Sequence, residues 1–247
     1  MRTYGLIGYP LSHSFSKKFF TQKFQKENIK DCIYKKISLK NISELKDIID
    51  ANPSMLGFNV TIPHKESIIP YLDEMDETAL QIGAVNVVRI KRNNFSFSLK
   101  GYNTDAGGFE KSIQPFLRPH HKKALILGTG GASKAVAYVL KKSGIEFCFV
   151  SREKKEKHFT YSELNNSIIE EFSIIINTTP VGMYPDIDNA PAIPYKFITS
   201  SHFLYDLIYN PEETLFLKKG REKEAVTING LAMLQLQADK AWEIWKE

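Results

Sequence analysis

A glycine-rich segment in the second half of the chain has the spacing of a dinucleotide-binding turn. It consists of Gly128, Thr129, Gly130, Gly131, Ala132 and Ser133. Glycines let the backbone turn sharply and approach a pyrophosphate, whose charge is stabilised by N–H groups at a helix N-terminus. Ser133 stands at the third glycine position, where a small residue suffices for helix packing. The segment therefore predicts a dinucleotide site, with a glycine-rich turn that binds nothing as the alternative.

A basic residue follows the next predicted strand, about 20 residues beyond the glycines, where NAD-dependent enzymes usually carry an acid for the ribose hydroxyls. Ser151 and Arg152 occupy this place. A guanidinium can hydrogen-bond a 2′-phosphate and stack on adenine. We therefore expect NADP rather than NAD, with Lys154 and Lys155 adding positive charge; a solvated basic turn is the alternative.

Polar side chains in the first half of the chain follow the ends of predicted strands. Asn59 and Thr61 close one strand, and Lys65 opens a helix, where a cation is unfavourable beside the positive end of the helix dipole. Further polar groups at strand and helix boundaries are Ser14, Ser16, Asn86 and Asp105. Together they predict a site for a ligand with hydroxyls and a carboxylate. Helix capping and an ordinary surface lysine are the alternatives.

Short β-branched and aromatic runs alternate with helical patterns along the chain, which predicts an α/β fold. Strands are expected at 4–8, 32–37, 55–60, 84–90, 95–101, 124–127, 146–150, 173–177 and 203–205. Helices are expected around Phe19, Phe20 and Phe24, at 43–51, from 105 towards 117, at 133–142 and at 231–245. The polar turn at 92–94 makes a hairpin, so the first sheet is expected to be mixed.

The length of 247 residues fits one large or two modest domains. We expect a substrate domain formed by 1–104 and 231–247, because the last helix is long enough to return to it. Residues 105–230 are expected to form a Rossmann-type NADP-binding domain. Hydrophobic residues at 43% and charged residues at 25% exclude disordered, collagen-like and disulfide-scaffold classes.

The charge and cysteine patterns argue against several partners. The net charge of +5 is dispersed along the chain, which gives no nucleic-acid footprint. Cys32 and Cys148 lie far apart, so neither a zinc spacing nor a disulfide framework is expected. No apolar run reaches membrane-spanning length, and no signal peptide is recognised. We expect a cytoplasmic monomer or homodimer without a metal or a membrane partner.

Taken in order, these motifs resemble the shikimate dehydrogenase family over the whole chain. The blocks that carry the resemblance are Ser14-x-Ser16, Asn59-x-Thr61-x-Pro63-x-Lys65, Gly83-Ala84-Val85-Asn86, Asn103-Thr104-Asp105, the glycine turn, residues 177–183, 206–209 and 229–231, and Gln237. The resemblance implies reversible NADPH-dependent reduction of 3-dehydroshikimate to shikimate, in the chorismate route to aromatic amino acids.

The resemblance also implies residue roles. Lys65 and Asp105 would be the catalytic pair. Shikimate would be held by Ser14, Ser16, Asn59, Thr61, Asn86, Asp105, Tyr209 and Gln237. The cofactor would be held by Glu77, the glycine turn, Ser151, Arg152, Thr178, Leu207, Gly230 and Met233.

The chemistry fits these roles, because reducing a ketone needs a hydride at carbon and a proton at oxygen. Lys65 can donate that proton, and a coupled Lys65 and Asp105 pair can orient the hydroxyl. One alternative is a quinate/shikimate dehydrogenase of the same family that uses NAD, against which Arg152 argues. The other is a catalytically idle NADPH-binding regulatory module, which would not need both Lys65 and Asp105.

Overall fold

Two sheets, each in its own compact unit, organise the chain. The computed structural model describes residues 1–11, 15–93 and 96–247. The first unit contains Met1–Thr104 and Ala238–Glu247, and the second contains Asp105–Gln237. Within the described ranges, no helix has the length and hydropathy needed to cross a bilayer.

The first unit carries a mixed sheet flanked by helices. Its strands are β1 (Arg2–Gly8), β2 (Cys32–Ser38), β3 (Met55–Val60), β4 (Glu74–Met75), β5 (Val87–Arg92) and β6 (Phe97–Tyr102). Its helices are α1 (Phe15–Lys26), α2 (Leu45–Asp50), α3 (His64–Ser67) and α4 (Glu77–Ile82). The order is β2-β1-β3-β5-β6-β4, with β5 antiparallel to both neighbours and the other pairs parallel. The predicted mixed sheet is thus confirmed.

The second unit has a fully parallel sheet among its described strands. These are β7 (Lys123–Leu127), β8 (Glu146–Ser151), β9 (His158–Thr160), β10 (Ile174–Asn177), β11 (Phe203–Asp206) and β12 (Val226–Ile228), in the order β12-β11-β10-β7-β8-β9. Its helices are α5 (Asp105–Ile113), α6 (Gly131–Lys142), α7 (Asn166–Glu171) and α8 (Leu215–Arg221). All residues of β10 are buried, as expected for a strand covered on both faces.

The last helix, α9 (Leu231–Lys246), ends in the first unit, as predicted. There its two tryptophans join an aromatic cluster on one face of the sheet. The Trp245 ring stacks on Tyr4 at 4.9 Å between centroids, and Trp242 meets Tyr4 edge-on at 5.4 Å. The Trp245 Nε1–H donates to Val88 O at 3.0 Å. Burial of these large rings anchors the end of α9 to the sheet.

Several predicted boundaries were wrong. The strand predicted from residue 84 begins at Val87, because Val85 N donates to Lys65 O instead of joining the ladder. The helix predicted to run towards 117 ends at Ile113 and continues as a 3₁₀ turn, where Pro115 cannot donate a helical hydrogen bond. The strand predicted from residue 95 is described from Phe97 onward, and residues 94 and 95 lie outside the described residues.

Candidate functional site

The glycine turn lies where the second sheet changes its winding direction. β7 has β8 on one side and β10 on the other, so the chain leaves β7 in one direction and later returns on the opposite side. Such a reversal opens a crevice at the carboxyl ends of parallel strands, and ligands bind there. Gly128 and the exposed Thr129 and Gly130 directly follow β7 and therefore lie at this crevice.

Gly128 has a backbone conformation that a side chain would disfavour. Its φ is +104°, and a Cβ built on it would lie 2.9 Å from Thr178 Oγ1. Its N–H donates to Val150 O at 2.9 Å. Thr178 donates to Leu127 O through its N–H at 3.0 Å and its hydroxyl at 2.7 Å. The structure thus brings together Gly128 and Thr178, two residues predicted to contact the cofactor.

The turn offers room and hydrogen-bond donors for a pyrophosphate. A Cβ built on Gly130 would meet nothing within 4 Å. Gly131 and Ala132 begin α6 and are partly exposed, and the first N–H groups of a helix have no acceptor within it. Ser133 is buried, and its hydroxyl donates to Gly130 O at 2.6 Å. The serine at the third glycine position therefore closes the turn with a hydrogen bond.

Leu207, Gly230 and Met233 continue the same edge of the second sheet. Leu207 N donates to Asn177 O at 3.0 Å, and Gly230 N donates to Ile208 O at 2.9 Å. These bonds hold the segments after β10, β11 and β12 side by side. Met233 follows in the first turn of α9 and is buried.

The end of β8 presents the predicted phosphate-binding arginine. Ser151 is buried, and its hydroxyl donates to Glu153 O at 2.6 Å, which turns the chain after the strand. Arg152 is exposed. Lys154 Nζ lies 2.6 Å from Glu163 Oε1, and this ammonium lowers the pKa of Glu163 to about 2. Lys154 thus has a carboxylate partner of its own, and the 2′-phosphate role of Arg152 stays a prediction.

Asp206, a buried carboxylate that the predicted site did not include, joins the loops after β10 and β11. Its Oδ1 accepts from Asn177 Nδ2 and Ile208 N, both at 3.0 Å, and its Oδ2 accepts from Thr214 Oγ1 at 2.6 Å. Burial raises the pKa of Asp206 to about 6, although these hydrogen bonds lower it. The signal in the sequence was an acid directly after three apolar residues of a strand.

In the first unit, three predicted residues lie at one edge of the sheet. β1 and β3 are parallel and β5 is antiparallel to β3, so the carboxyl ends of β1 and β3 meet the start of β5. Thr61 N donates to Ile7 O at 2.9 Å, and Val85 N donates to Lys65 O at 2.7 Å. Asn86 follows Val85 directly. This edge therefore gathers Thr61, Lys65 and Asn86.

Lys65 is half-buried in the first turn of α3, where the sequence predicted it. Its neighbour His64 is buried and anchors the helix. His64 Nε2 lies 2.6 Å from Leu39 O, and Nδ1 lies 3.4 Å from Ser67 Oγ. The ammonium-bearing side chain therefore extends from a fixed backbone.

Asn59 and Asn86 are buried, and protein partners orient both amides. Asn59 Oδ1 accepts from Tyr34 OH at 2.7 Å, and its Nδ2 donates to Asn86 O at 3.4 Å. Asn86 Oδ1 accepts from Thr104 N at 2.7 Å, and its Nδ2 donates to Thr104 Oγ1 at 3.0 Å. Two predicted substrate residues thus belong to one buried polar network.

Ser16 belongs to the same network, because its side chain hydrogen-bonds the Tyr34 hydroxyl. Ser14 lies outside the described residues. Tyr34, which was not among the predicted site residues, connects Ser16 to Asn59. Its signal was its place on the apolar face of a predicted strand, because a buried tyrosine hydroxyl usually has a hydrogen-bond partner.

The remaining predicted substrate residues belong to the second unit. Asp105 is buried and is the first residue of α5. One turn further on, a Cβ built on Gly108 would lie 2.8 Å from Met233 O and 3.2 Å from Gln237 Cβ. α5 therefore packs closely on α9, and this contact brings the helix of Asp105 beside Gln237. Tyr209 is half-buried in the loop after β11.

The predicted catalytic residues belong to different units, Lys65 to the first and Asp105 to the second. Their pairing stays a prediction. So does the cofactor role of Glu77, an exposed residue of the first unit at the start of α4, whose Oε1 accepts from Gln81 Nε2 at 3.1 Å. Across the described part of the chain, no three His, Cys, Asp or Glu residues are grouped to hold a metal ion.

The dinucleotide turn at the switch point of the second unit is typical of dinucleotide-dependent oxidoreductases, and the first unit holds Lys65 next to the buried Asn86. Comparisons with known proteins also indicate a dinucleotide-dependent oxidoreductase. Residues 6–88 match the family model described as the shikimate dehydrogenase substrate binding domain. A protein of Methanococcus vannielii named shikimate dehydrogenase (NADP(+)) is 38% identical over 263 residues, covering 98% of this chain and 90% of that protein.

Solved structures similar to this chain include two shikimate dehydrogenases and a 5-ketofructose reductase. Shikimate dehydrogenase 1 from Peptoclostridium difficile has a TM-score of 0.85 and 39% identity, covering 100% of this chain and 92% of its own. The Thermus thermophilus enzyme, in complex with NADP(H) and shikimate, has a TM-score of 0.82 and 27% identity, with 99% and 93% covered. The ligand-free 5-ketofructose reductase of a Gluconobacter strain also has a TM-score of 0.82, with 29% identity and 99% and 92% covered.

The chain belongs to the shikimate dehydrogenase family. It is an NADP-dependent oxidoreductase that acts on a CH–OH group.

Proposed function

We propose that this protein catalyses the reversible NADPH-dependent reduction of 3-dehydroshikimate to shikimate, a step towards chorismate and the aromatic amino acids. The observation that carries the proposal is the edge of the first sheet, where half-buried Lys65 stands beside the buried Asn59 and Asn86. Amides and an ammonium suit a ligand rich in hydroxyls with one ketone that becomes an alcohol.

The second unit would hold the cofactor. Gly128 to Ser133 would bind the pyrophosphate, because they combine a tight turn with a helix N-terminus. Arg152 would bind the 2′-phosphate, with Ser151 shaping the turn before it. Thr178, Leu207, Gly230 and Met233 would line the nicotinamide pocket, and Glu77 is assigned to the cofactor as well. When bound, the reduced nicotinamide supplies the hydride.

Lys65 would transfer the proton to and from the substrate oxygen. In the direction of reduction, its ammonium donates a proton to the ketone oxygen, where negative charge develops. In the reverse direction, its amine accepts the proton of the alcohol. Asp105 would orient that hydroxyl together with Lys65. The remaining side chains that would hold the substrate are Ser14, Ser16, Asn59, Thr61, Asn86, Tyr209 and Gln237.

This assignment divides the chain by role. Residues 1–104 and 231–247 would form the substrate domain, and residues 105–230 would form the NADP-binding domain, although Asp105 and Tyr209 are assigned to the substrate and Glu77 and Met233 to the cofactor. We further propose a cytoplasmic monomer or homodimer that uses no nucleic acid or membrane partner. Sedimentation of the purified protein tests the oligomeric state, and cell fractionation tests the location.

A substrate and cofactor panel tests the proposed function. The purified protein is mixed with shikimate or quinate and with NADP+ or NAD+, and the absorbance of the reduced nicotinamide is followed. We expect the highest kcat/KM with shikimate and NADP+. Higher kcat/KM with quinate and NAD+ would support the alternative of a quinate/shikimate dehydrogenase that uses NAD. Cofactor binding without turnover would support the alternative of a catalytically idle NADPH-binding module. A reverse panel includes 5-ketofructose with NADPH, because a similar structure has that reductase name.

A matched pair of lysine variants tests the catalytic assignment. Lys65→Met should lower kcat by about 100-fold or more, the scale of a lost general acid. Lys46→Met removes an exposed ammonium from α2 of the same unit and should leave kcat unchanged. Near-normal turnover of the Lys65 variant would exclude Lys65 as the proton donor.

A further inference from the structure

A buried tyrosine hydroxyl connects two side chains that we assign to the substrate. Tyr34 lies in β2, and its OH donates to Asn59 Oδ1 of β3 at 2.7 Å. The Ser16 side chain of α1 hydrogen-bonds the same hydroxyl. The ring is fixed by stacking on Phe20, with 4.5 Å between centroids and an angle of 13°. Three separate elements of the first unit therefore meet at one hydroxyl group.

The hydrogen bonds at this hydroxyl have a defined direction. A tyrosine hydroxyl has one proton, and here Asn59 Oδ1 accepts it, so the hydroxyl oxygen is the acceptor for Ser16. Because Asn59 presents its oxygen to Tyr34, its Nδ2 faces the carbonyl oxygen of Asn86. Tyr34 thus fixes which end of the Asn59 amide points in which direction.

We propose that Tyr34 is a positioning residue for substrate recognition, acting through Ser16 and Asn59 rather than by touching the substrate. Its hydroxyl keeps the Ser16 rotamer and the Asn59 amide in the orientation that receives a polyhydroxylated carboxylic acid. The inference rests on the proposed function, because the substrate roles of Ser16 and Asn59 belong to that proposal.

The hydroxyl acts as a neutral group over the working pH range. Burial raises the pKa of Tyr34 well above its ordinary value, and the Ser16 hydrogen bond opposes this only in part. The contribution of Tyr34 to substrate affinity should therefore be independent of pH.

The chain supplies a matched control in the same aromatic core. Tyr4 lies on β1 and is buried, and its hydroxyl has no hydrogen-bond partner among the described residues. Tyr4→Phe and Tyr34→Phe each remove one buried oxygen and leave the ring in place. They differ in whether that oxygen holds Ser16 and Asn59.

The experiment compares both variants with the wild-type protein. Calorimetry measures the Kd of shikimate alone, and kinetics measure KM for shikimate and NADP+ and kcat. Tyr34→Phe should weaken shikimate binding roughly fivefold or more, the scale of one lost hydrogen bond, by the same factor from about pH 6 to about pH 9. KM for NADP+ should not change, and Tyr4→Phe should match wild type in all constants.

A double-mutant cycle tests whether Tyr34 acts through Ser16. In a Ser16→Ala background, the effect of Tyr34→Phe on shikimate affinity should be smaller than in wild type. The inference is overturned if Tyr34→Phe leaves shikimate affinity unchanged, if it raises KM for NADP+ equally, if Tyr4→Phe has the same effect, or if the two changes are additive. A wild-type protein that neither binds nor oxidises shikimate would instead refute the proposed function.

Discussion

The buried Asp206 carboxyl should make the stability of the protein depend on pH in an unusual direction. A carboxyl of this type ordinarily titrates near 3.8, and burial raises the pKa of Asp206 to about 6. Burial, and to a smaller extent the negative charge of Asp206, raise the pKa of the Tyr195 and Tyr205 hydroxyls, so both stay neutral in this range. The folded protein therefore binds the Asp206 proton more tightly than the unfolded chain does.

The sign and size of the effect follow from this difference. Between pH 3.8 and about 6 the folded state holds more protons than the unfolded state, so the free energy of unfolding falls as pH rises. One pKa unit corresponds to about 1.4 kcal/mol, so the difference amounts to about 3 kcal/mol once Asp206 is ionised. This contribution to stability is fully present below pH 3.8 and is lost as pH rises through about 6.

Asp206→Asn should remove this dependence with little change in shape. The amide oxygen can still accept from Asn177 and Ile208, and the amide nitrogen can donate to Thr214 Oγ1. Urea unfolding is measured for both proteins from about pH 4 to about pH 8. The unfolding free energy of wild type minus that of the variant should fall by about 2.5 kcal/mol across this range, because a small part of the difference is already lost at pH 4.

Asp31→Asn provides a control of opposite sign. Asp31 is exposed, and its hydrogen bond with the Arg2 guanidinium lowers the pKa of the carboxyl. The difference between wild type and this variant should therefore rise with pH only up to about 3.8 and stay nearly constant above pH 4, where the Asp206 difference falls. A difference for Asp206→Asn that stays constant with pH would refute the reasoning, because a carboxyl whose pKa is higher in the folded than in the unfolded state must show this dependence.

Three further substitutions test the proposed site. Asp105→Asn should lower both kcat and shikimate affinity, and an effect on thermal stability alone would reduce Asp105 to a helix-capping role. Arg152→Gln should raise KM for NADP+ by about tenfold and leave KM for NAD+ unchanged, since only NADP+ carries the 2′-phosphate. Equal changes in KM for the two cofactors would contradict a phosphate-binding role of Arg152. Gly128→Ala should destabilise the protein by about 1–3 kcal/mol, because its φ is +104° and Thr178 lies close. Gly107→Ala, which has open space around it, should not destabilise the protein. Equal unfolding midpoints for the two variants would refute the backbone strain at Gly128.

Elements with a strong local pattern were predictable from the sequence. The α/β class followed from alternating apolar runs and helical patterns, and the mixed first sheet followed from the hairpin. β4, β9 and β12 were missed because they have only two or three residues each. The short helices α4, α7 and α8 were missed as well. Tertiary contacts rather than local propensity stabilise elements of this length.

The site residues also divide into those that a local motif predicts and those that depend on distant contacts. The glycine turn and Arg152 carry their chemistry in a local motif, so the sequence was enough to predict them. Tyr34 and Asp206 were missed because their partners lie far away along the chain. Tyr34 bonds Asn59 at a separation of 25 residues, and Asp206 bonds Asn177 at a separation of 29. Such hydrogen-bonded pairs depend on which strands become neighbours in the sheet, and the local sequence does not contain that information.

Transfer of deuterium tests the proposed reaction most directly. The protein is incubated with 3-dehydroshikimate and NADPH deuterated at the transferable C4 position, and the product is examined by mass spectrometry and NMR. We expect shikimate with one deuterium on the carbon that bears the new hydroxyl. Absence of shikimate, or shikimate without deuterium at that carbon, would contradict hydride transfer from the cofactor to the ketone.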